Sequence, residues 1–403
     1  MSLWKIVLKN IVQRKLSSTL TAASIGLGVA VVIAVLALRA SGREGFSQSA
    51  FGYELVVGAK GSGLQLVLNT VYHLDTSPGN VPWGRYRELA THKAVAAAIP
   101  LSVGDSLRGA RIVGTTDAYF SAFNLAIDGR PFRYDPARLE QAMAGKEAEG
   151  AFEAVVGARA AQRTGLRIGD TFQASHGIEE GGEAHAEKWT VVGILRPTGT
   201  PNDRAVFINL DSFYEIKGHR QTSGISAILV KTRSPSAALM LEYDLNQLPD
   251  CMAAVPAKVM AEFFDKFDWI PLLFLAIASL VVVMAAVSIF VAIYNSMSER
   301  RRAIAIMRAL GARRSTVLAI VMLEAVTLCL FGCLAGVAVG HLLTAAAGAI
   351  LSSRSGVSVP GFAFQPEELA VVAGVLALGA LAGILPALKA YRTDIADGLS
   401  PSS

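Results

Sequence analysis

The sequence is short of several things that would point to chemistry or to an oxidised, soluble scaffold. Cysteine is the first, with three in 403 residues: Cys251, Cys329 and Cys333. The last two stand one helical turn apart in an apolar run, too close on one helix face for relaxed disulfide geometry. No disulfide framework is available, and they read as small packing residues and not as metal ligands. Charge is the second. Only 17% of residues are charged against 52% hydrophobic, and mean hydropathy is +0.44, too apolar for an ordinary soluble protein of this length. Enzyme signatures are the third. The nearest approach to a phosphate-binding loop, Gly58 to Gly63 (GAKGSG), lacks the lysine and hydroxyl that hold phosphate and Mg²⁺, so the chain is not expected to hydrolyse ATP alone. Neither G-x-S-x-G nor H-E-x-x-H occurs, so no catalytic residue is assigned.

What is present is oil in long runs. Leu20 to Leu38, Ile270 to Tyr294, Val317 to Leu351 and Leu369 to Leu388 hold most of the apolar excess. Each meets the roughly 20 apolar residues that a helix needs to cross a bilayer core of about 30 Å. The segment between the first two, about 225 residues of ordinary globular composition, is long enough to bury its own core. The expected fold class is therefore a membrane α-helical protein of four spans, with a large extracytoplasmic α+β domain inserted between the first and second.

Cations near the span ends set the orientation. Lys5, Lys9, Arg14 and Lys15 precede the first span; Arg300, Arg301, Arg302, Arg308, Arg313 and Arg314 lie between the second and third; Lys389 and Arg392 follow the fourth. The opposite short loop carries only Arg354. Four spans place all three basic groups on one side, and the positive-inside rule makes that side the cytoplasm. The net charge of +5 is then a topology signal and not a nucleic-acid footprint. The expected layout is 1–17 an interfacial helix, 18–40 the first span, 41–266 the extracytoplasmic domain and 267–296 the second span. It continues with 297–315 a cytoplasmic helical loop, 316–351 the third span, 352–366 an external loop, 367–390 the fourth span and 391–403 a cytoplasmic tail. About 19 apolar residues exceed the apolar core of a secretory signal, so the first run reads as an uncleaved anchor. Upstream, Trp4, Val7, Leu8 and Ile11 recur at helical spacing, which fits a helix lying in the membrane interface or an extension of the first span.

The inserted domain alternates short strands with turns. AVVGARAAQRTGLRIGDTFQAS, from Ala154, predicts a strand, a helix ending near Gly165 and a second strand after Gly169-Asp170. EKWTVVGILRPTGTPNDRAVFINL predicts two more strands about a turn at Pro197 to Asp203, and ARIVGTT another. SPSAALMLEYDLNQL, CMAAVP and KVMAEFFDKFDW predict helix, strand and helix, the last running into the second span. The glycines around Gly58 to Gly63 read as packing and turn residues, or as the wall of a partner groove. SHGIEEGGEAHAEKW offers His176, Glu179, Glu180, Glu183, His185 and Glu187 between two strands. Solvated charge is the usual content of such a hairpin loop; His176 and His185 are nevertheless the candidate metal ligands.

SERRRAIAIMRALGARRSTV, from Ser298, places a charged helix between two spans. Ser298 can cap it with Glu299 in its first turn, Ile304, Met307 and Leu310 fall at i, i+3 and i+6, and Gly311 ends it. Retention at the membrane surface and docking to a soluble motor both suit such a helix, and periodicity does not choose. In the third span Glu324 is an ionisable group in an apolar run, expected to face a protein interface or to snorkel to the boundary. Gly332, Gly336 and Gly340 repeat every four residues, suiting a dimer seam or tight packing within one subunit. His341 reads as a packed or headgroup-level residue.

The stretch from Ser298 to Gly340 resembles the permeases of the MacB/FtsX-like ABC transporter family in its E-R-x-x-E-I pattern, its R-A-L-G-A and its following span with an acidic residue and glycine repeats. NIVQRKLSSTLTAASIGLGVAVVIAV resembles the family's first span, VVGARAAQRTGLRIGDTF and WTVVGILRPTGTPNDRAVFINL its external domain, and PALKAYRTDIADGL its C-terminal signature. Ala303 stands where the family usually has an acidic residue. The resemblance implies a non-catalytic permease bound to a separate cytoplasmic ATPase pair, with ATP and Mg²⁺ on that partner and no cofactor on this chain. Glu299, Arg300, Arg301, Ile304, Met307, Arg308, Leu310 and Gly311 would then form the ATPase-coupling helix. It further implies a second permease copy, identical or related, an inner-membrane location with cytoplasmic termini, and room for a periplasmic adaptor or substrate-binding protein. Two functions follow: mechanotransmission that exports or extracts a hydrophobic, lipidated or peptide-like cargo, and regulation of an envelope partner such as a cell-wall hydrolase without transport.

Overall fold

The computed structural model describes residues 3–45, 52–146, 150–177, 184–216, 219, 224–267, 269–299, 301–355 and 362–392. It divides into two compact units, Met1–Gly42 with Phe267–Ile350 and Val359–Ser403, and Arg43–Lys266 with Leu351–Ser358.

In the first unit a short N-terminal helix, Leu3–Gln13, is separated by a turn at Arg14 from a helix over Lys15–Gly45. Helices over Trp269–Glu299, Arg314–Ser355 and Pro366–Arg392 follow, with a short inter-span helix at Arg301–Ala309. Four of these are long and apolar enough to cross a membrane. They outrun the apolar runs because in lipid every backbone N–H and C=O must find its partner inside the helix, and nothing in the polar flanks breaks it. The domain helix Pro256–Lys266 ends before the second span starts at Trp269, so the two are separate helices.

The glycine repeat is used inside the chain. A Cβ at Gly332 would stand 2.7 Å from Cβ of Ile25, one at Gly336 2.6 Å from Cβ of Val29, and one at Gly340 2.8 Å from Cβ of Ile33. The first and third spans thus approach backbone to side chain along a four-residue register, with Gly26 facing the carbonyl of Gly332 from the other helix. Of the two readings of Gly332, Gly336 and Gly340, the structure shows the packing within one subunit. Cys329 and Cys333 are buried in the same core with Val321 and Val375. They are free thiols, and Cys329 fills the space beside Gly379.

The second unit is built on one mixed sheet. Its strands are β1 (Leu55–Gly58), β2 (Val81–Pro82), β3 (Val95–Leu107), β4 (Ala110–Thr115), β5 (Ile127–Gly129), β6 (Glu153–Val156), β7 (Thr171–Phe172), β8 (Ser175–His176), β9 (Trp189–Leu195), β10 (Val206–Asn209), β11 (Gly224–Ile225), β12 (Ala227–Thr232) and β13 (Met252–Ala254). The order is β13-β1-β12-β3-β4-β10-β6-β9-β5, with β7 on β9 and β8 on β3; β11 and β2 form a separate pair. β10 runs parallel to β4, and β6 parallel to β9.

Alternation along each strand feeds two cores. Leu55, Val57, Ile112, Val156, Val206, Ile208 and Ile228 point into one, while Val56, Val113, Val155, Phe207 and Leu229 point into the other. The first is covered by helices that include Pro136–Met143, Ala158–Thr164, Leu210–Glu215 and Pro235–Gln247, the second by Gly63–Thr70 and Pro256–Lys266. Coverage of both faces is why these strands read as unbroken apolar runs. The glycine-rich turn after β1 serves packing: a Cβ on Gly58 would fall 2.3 Å from Leu66.

Asp135 caps the helix Pro136–Met143 by accepting from the amides of Ala137 and Arg138. That aims Arg138, only 4% exposed, at Asp211, 2.8 Å away, and at both oxygens of Glu215. Burial pushes the Asp211 carboxyl up to about 6, against the opposing pull of the guanidinium.

Three outcomes follow. A leucine at Gly336 should cost about 1–3 kcal/mol by overpacking the seam and lower the thermal midpoint of the chain in detergent, whereas Gly374→Leu, at a position with open space, should leave it unchanged. Arg138→Met strands two buried carboxylates and should cost the inserted domain about 3–5 kcal/mol, read from the unfolding of buried Trp189. Because the folded Asp211 pKa lies above its unfolded value, its contribution is full at low pH and is lost as pH rises towards about 6. Asp211→Asn should remove that part of the pH dependence.

Candidate functional site

The inter-span helix runs Arg301–Ala309 and closes with Gly311 at φ +98°, the Gly311 amide donating to Arg308 and the Ala312 amide to Met307. This paired closure needs a left-handed residue, which only glycine adopts without strain. Ser298 and Glu299 do not begin this helix. They lie in the last turn of the second span, which ends at Glu299, because an uninterrupted helix gains one hydrogen bond per added residue and a serine alone does not stop it. Arg300 lies outside the described residues.

The apolar stripe divides between two faces. Ile304 is 4% exposed and packs with Ile289, Val317 and Val321, and Met307 lies partly buried against the same cluster. Leu310 is 83% exposed, and Ile306, one turn before it, is 45% exposed. The unengaged face is therefore Ile306 with Leu310, at i and i+4, and the i, i+3, i+6 stripe is corrected accordingly. A nine-residue helix has room for both registers, and its own bundle takes one of them.

Glu324 is 8% exposed, and Asn10 Nδ2 of the N-terminal helix donates to its Oε2 at 3.5 Å. It faces protein of its own chain, as the cost of an ionised group in lipid demands. Nearer the other end of the third span, His341 Nε2 lies 3.1 Å from Glu368 Oε2, while Glu368 accepts from the Gln365 amide and so closes the first turn of the fourth span.

In the inserted domain, His176 and His185 converge on residues that sequence spacing does not reveal. Asp105 sits on β3 where the register with β4 shifts between Val103 and Ser106, a bulge that re-aims the side chain. It pairs with His176 on β8, and the hairpin is held by a bridge between Ser175 and Ala184 and by the His185 amide donating to Ala174. Asp105 Oδ1 lies 3.2 Å from His185 Nε2, 3.3 Å from His176 Nδ1 and 3.7 Å from His219 Nε2. Nδ1 of His219 lies 3.1 Å from the Phe213 carbonyl and donates to it, which turns Nε2 towards Asp105. Burial lowers the His219 pKa, against the pull of Asp105, and so favours the neutral ring. Of the glutamates in the loop, Glu179, Glu180 and Glu183 lie outside the described residues, and Glu187 is not among the groups that converge.

Comparison with known proteins places these features. Residues 18–248 match the model of the MacB-like periplasmic core domain, and residues 275–395 that of the FtsX-like permease C-terminal domain. The chain is 33% identical over 129 residues to the macrolide export ATP-binding/permease protein MacB of Shewanella sp. (strain ANA-3), covering 32% of this chain and 19% of that protein. It is 24% identical over 217 residues to an uncharacterized ABC transporter permease of Methanocaldococcus jannaschii, covering 52% and 54%. The periplasmic region of MacB from Actinobacillus actinomycetemcomitans superposes with a TM-score of 0.36 at 14% identity, over 54% of this chain and 97% of that one. Matches to the two relatives thus span about a fifth to a half of their length. With one model covering more than half of its residues and the other its last three spans, the chain belongs to the MacB/FtsX-like family of ABC transporter permeases, as a multi-pass membrane protein.

Proposed function

We propose that this permease works with a separate cytoplasmic ATPase pair. The inter-span helix is the element that the ATPase grips, and the inserted domain lies on the opposite side of the cytoplasmic membrane. The carrying observation is the exposed pair Ile306 and Leu310 on a short helix with Arg301, Arg302 and Arg308, set between two spans. Apolar anchors on an arginine-rich segment suit a protein groove better than solvent, and the basic flanks support a cytoplasmic helix and cytoplasmic termini. Ile304 and Met307 root the same helix in the core formed by the second and third spans, so a displacement of the helix is passed to those spans and not absorbed. ATP-driven closure of the motor then moves the inserted domains of a permease dimer. That motion exports or extracts a hydrophobic, lipidated or peptide-like cargo outside the membrane, with ATP and Mg²⁺ held by the partner alone.

Ile306→Asp with Leu310→Asp should abolish co-purification of the ATPase in mild detergent while the chain keeps its thermal midpoint. Met307→Asp should lower that midpoint, because its side chain is partly in the core. An ATPase that stays bound to the double variant overturns the coupling role. ATP-dependent release of cargo from reconstituted membranes separates transport from regulation of an envelope partner.

A further inference from the structure

The chain has six histidines, and three of them meet in the inserted domain at the one carboxylate of Asp105. The residues come from three places far apart in sequence: the bulge of β3, the hairpin that starts at β8, and the segment after the helix Leu210–Glu215. One ligand atom from each lies within 4.8 Å of every other.

An ordinary salt-bridge cluster does not account for the arrangement. Asp105 is 0% exposed, yet among the described residues neither of its oxygens accepts a hydrogen bond, and buried Nε2 of His185 makes none either. Oδ1 and that nitrogen are 3.2 Å apart without the alignment of a hydrogen bond. A buried carboxylate left in that condition is costly, by several kcal/mol if nothing answers it. Four potential ligand atoms within 4.8 Å of one another, with the Asp105 oxygens and His185 Nε2 unanswered by hydrogen bonds, are the arrangement of metal ligands.

The distances fit a particular coordination. Tetrahedral Zn²⁺ with bonds of about 2.0–2.1 Å holds its ligand atoms about 3.3–3.4 Å from one another. Asp105 Oδ1 stands 3.2, 3.3 and 3.7 Å from the three imidazole nitrogens. The His219 contact to the Phe213 carbonyl supplies the outer hydrogen bond that fixes a ligating tautomer. His176, 64% exposed, leaves the site open to solvent on one side, which gives an ion a way in. Three imidazoles and one carboxylate suit zinc, and suit Ca²⁺ or Mg²⁺ poorly, since those demand oxygen.

We propose that Asp105, His176, His185 and His219 form a four-ligand site for a divalent transition-metal ion, Zn²⁺ foremost. The ion clips the His176–His185 hairpin and the His219 segment onto the edge of β3. This site is independent of ATPase coupling, which lies in the other unit.

The test uses the full-length chain in detergent, purified without a histidine tag, stripped with chelator and titrated with Zn²⁺ against a fluorescent indicator. One ion per chain is expected, together with a rise in thermal midpoint on loading. Co²⁺ in place of Zn²⁺ should give the intense visible absorption of a tetrahedral centre. Asp105→Asn and the His185→Ala, His219→Ala double variant should weaken Zn²⁺ binding by about tenfold or more. His176→Ala decides the matter should those variants unfold, because that exposed ring can be removed without disturbing the core, and it too should weaken binding and change the Co²⁺ spectrum. Absence of stoichiometric binding, or binding that His176→Ala and the folded variants retain unchanged, overturns the proposal.

Discussion

A carboxylate taken out of water must be met by a cation, by hydrogen-bond donors or by a metal, and both units of this permease are organised around that requirement. In the inserted domain Arg138 meets Asp211 and Glu215 together, which joins the helices Pro136–Met143 and Leu210–Glu215 across the end of β10. In the membrane unit Glu324 is met by Asn10, which ties the N-terminal helix to the third span, and Glu368 by His341, which ties the third span to the fourth. Hydrophobic burial holds each unit together but does not specify which helix neighbours which. Inside lipid it is weaker still as a selector, because tails and leucines are alike in polarity. The polar pairs and the glycine seam supply that selectivity: one fixes neighbours by unsatisfied charge, the other by closeness that a Cβ forbids.

Seen this way, the parts of the fold legible in the sequence are those set by local pattern. Run length gave the four spans, and short apolar runs bounded by Gly165, Gly169 and Pro197 gave β6, β7, β9 and β10 with the helix between them. β3 escaped because Pro100 and Gly104 interrupt it, and both residues ordinarily demote a strand. Here Pro100 pairs with Ile228 on β12, and Gly104 belongs to the bulge that delivers Asp105. The G-x-x-x-G-x-x-x-G of Gly332 to Gly340 was equally visible, but spacing states only that something comes close. Its partner, Ile25, Val29 and Ile33, lies some 300 residues earlier in the chain, and nothing local encodes that pairing.

The functional residues divide along the same line. Gly311 was legible because a left-handed closure has a single-residue signature, and the arginines because they set topology. Ile306 was missed, and Leu310 was grouped with the wrong neighbours, since a helix of nine residues satisfies three-residue and four-residue stripes at once. Only the bundle, by taking Ile304 and Met307, leaves the other stripe uncovered. In the proposed metal cluster the two histidines nine residues apart were visible and the other two groups were not. Among the described residues their companions are Asp105, about 70 residues upstream, and His219, more than 30 residues downstream.

What marks Asp105 is the cost of its burial. A buried aspartate with unanswered oxygens has already lost its water, so an ion there recovers an interaction that the fold itself gave up. The same reasoning separates the two sites by role. The inter-span helix leaves Ile306 and Leu310 exposed, and under the proposed coupling its partner is a protein that binds and releases, so such a surface must tolerate water between encounters. The Asp105 carboxylate is itself shut off from water, so the ion proposed for it would be resident and its contribution structural: a fixed clip joining the hairpin, β3 and the His219 segment.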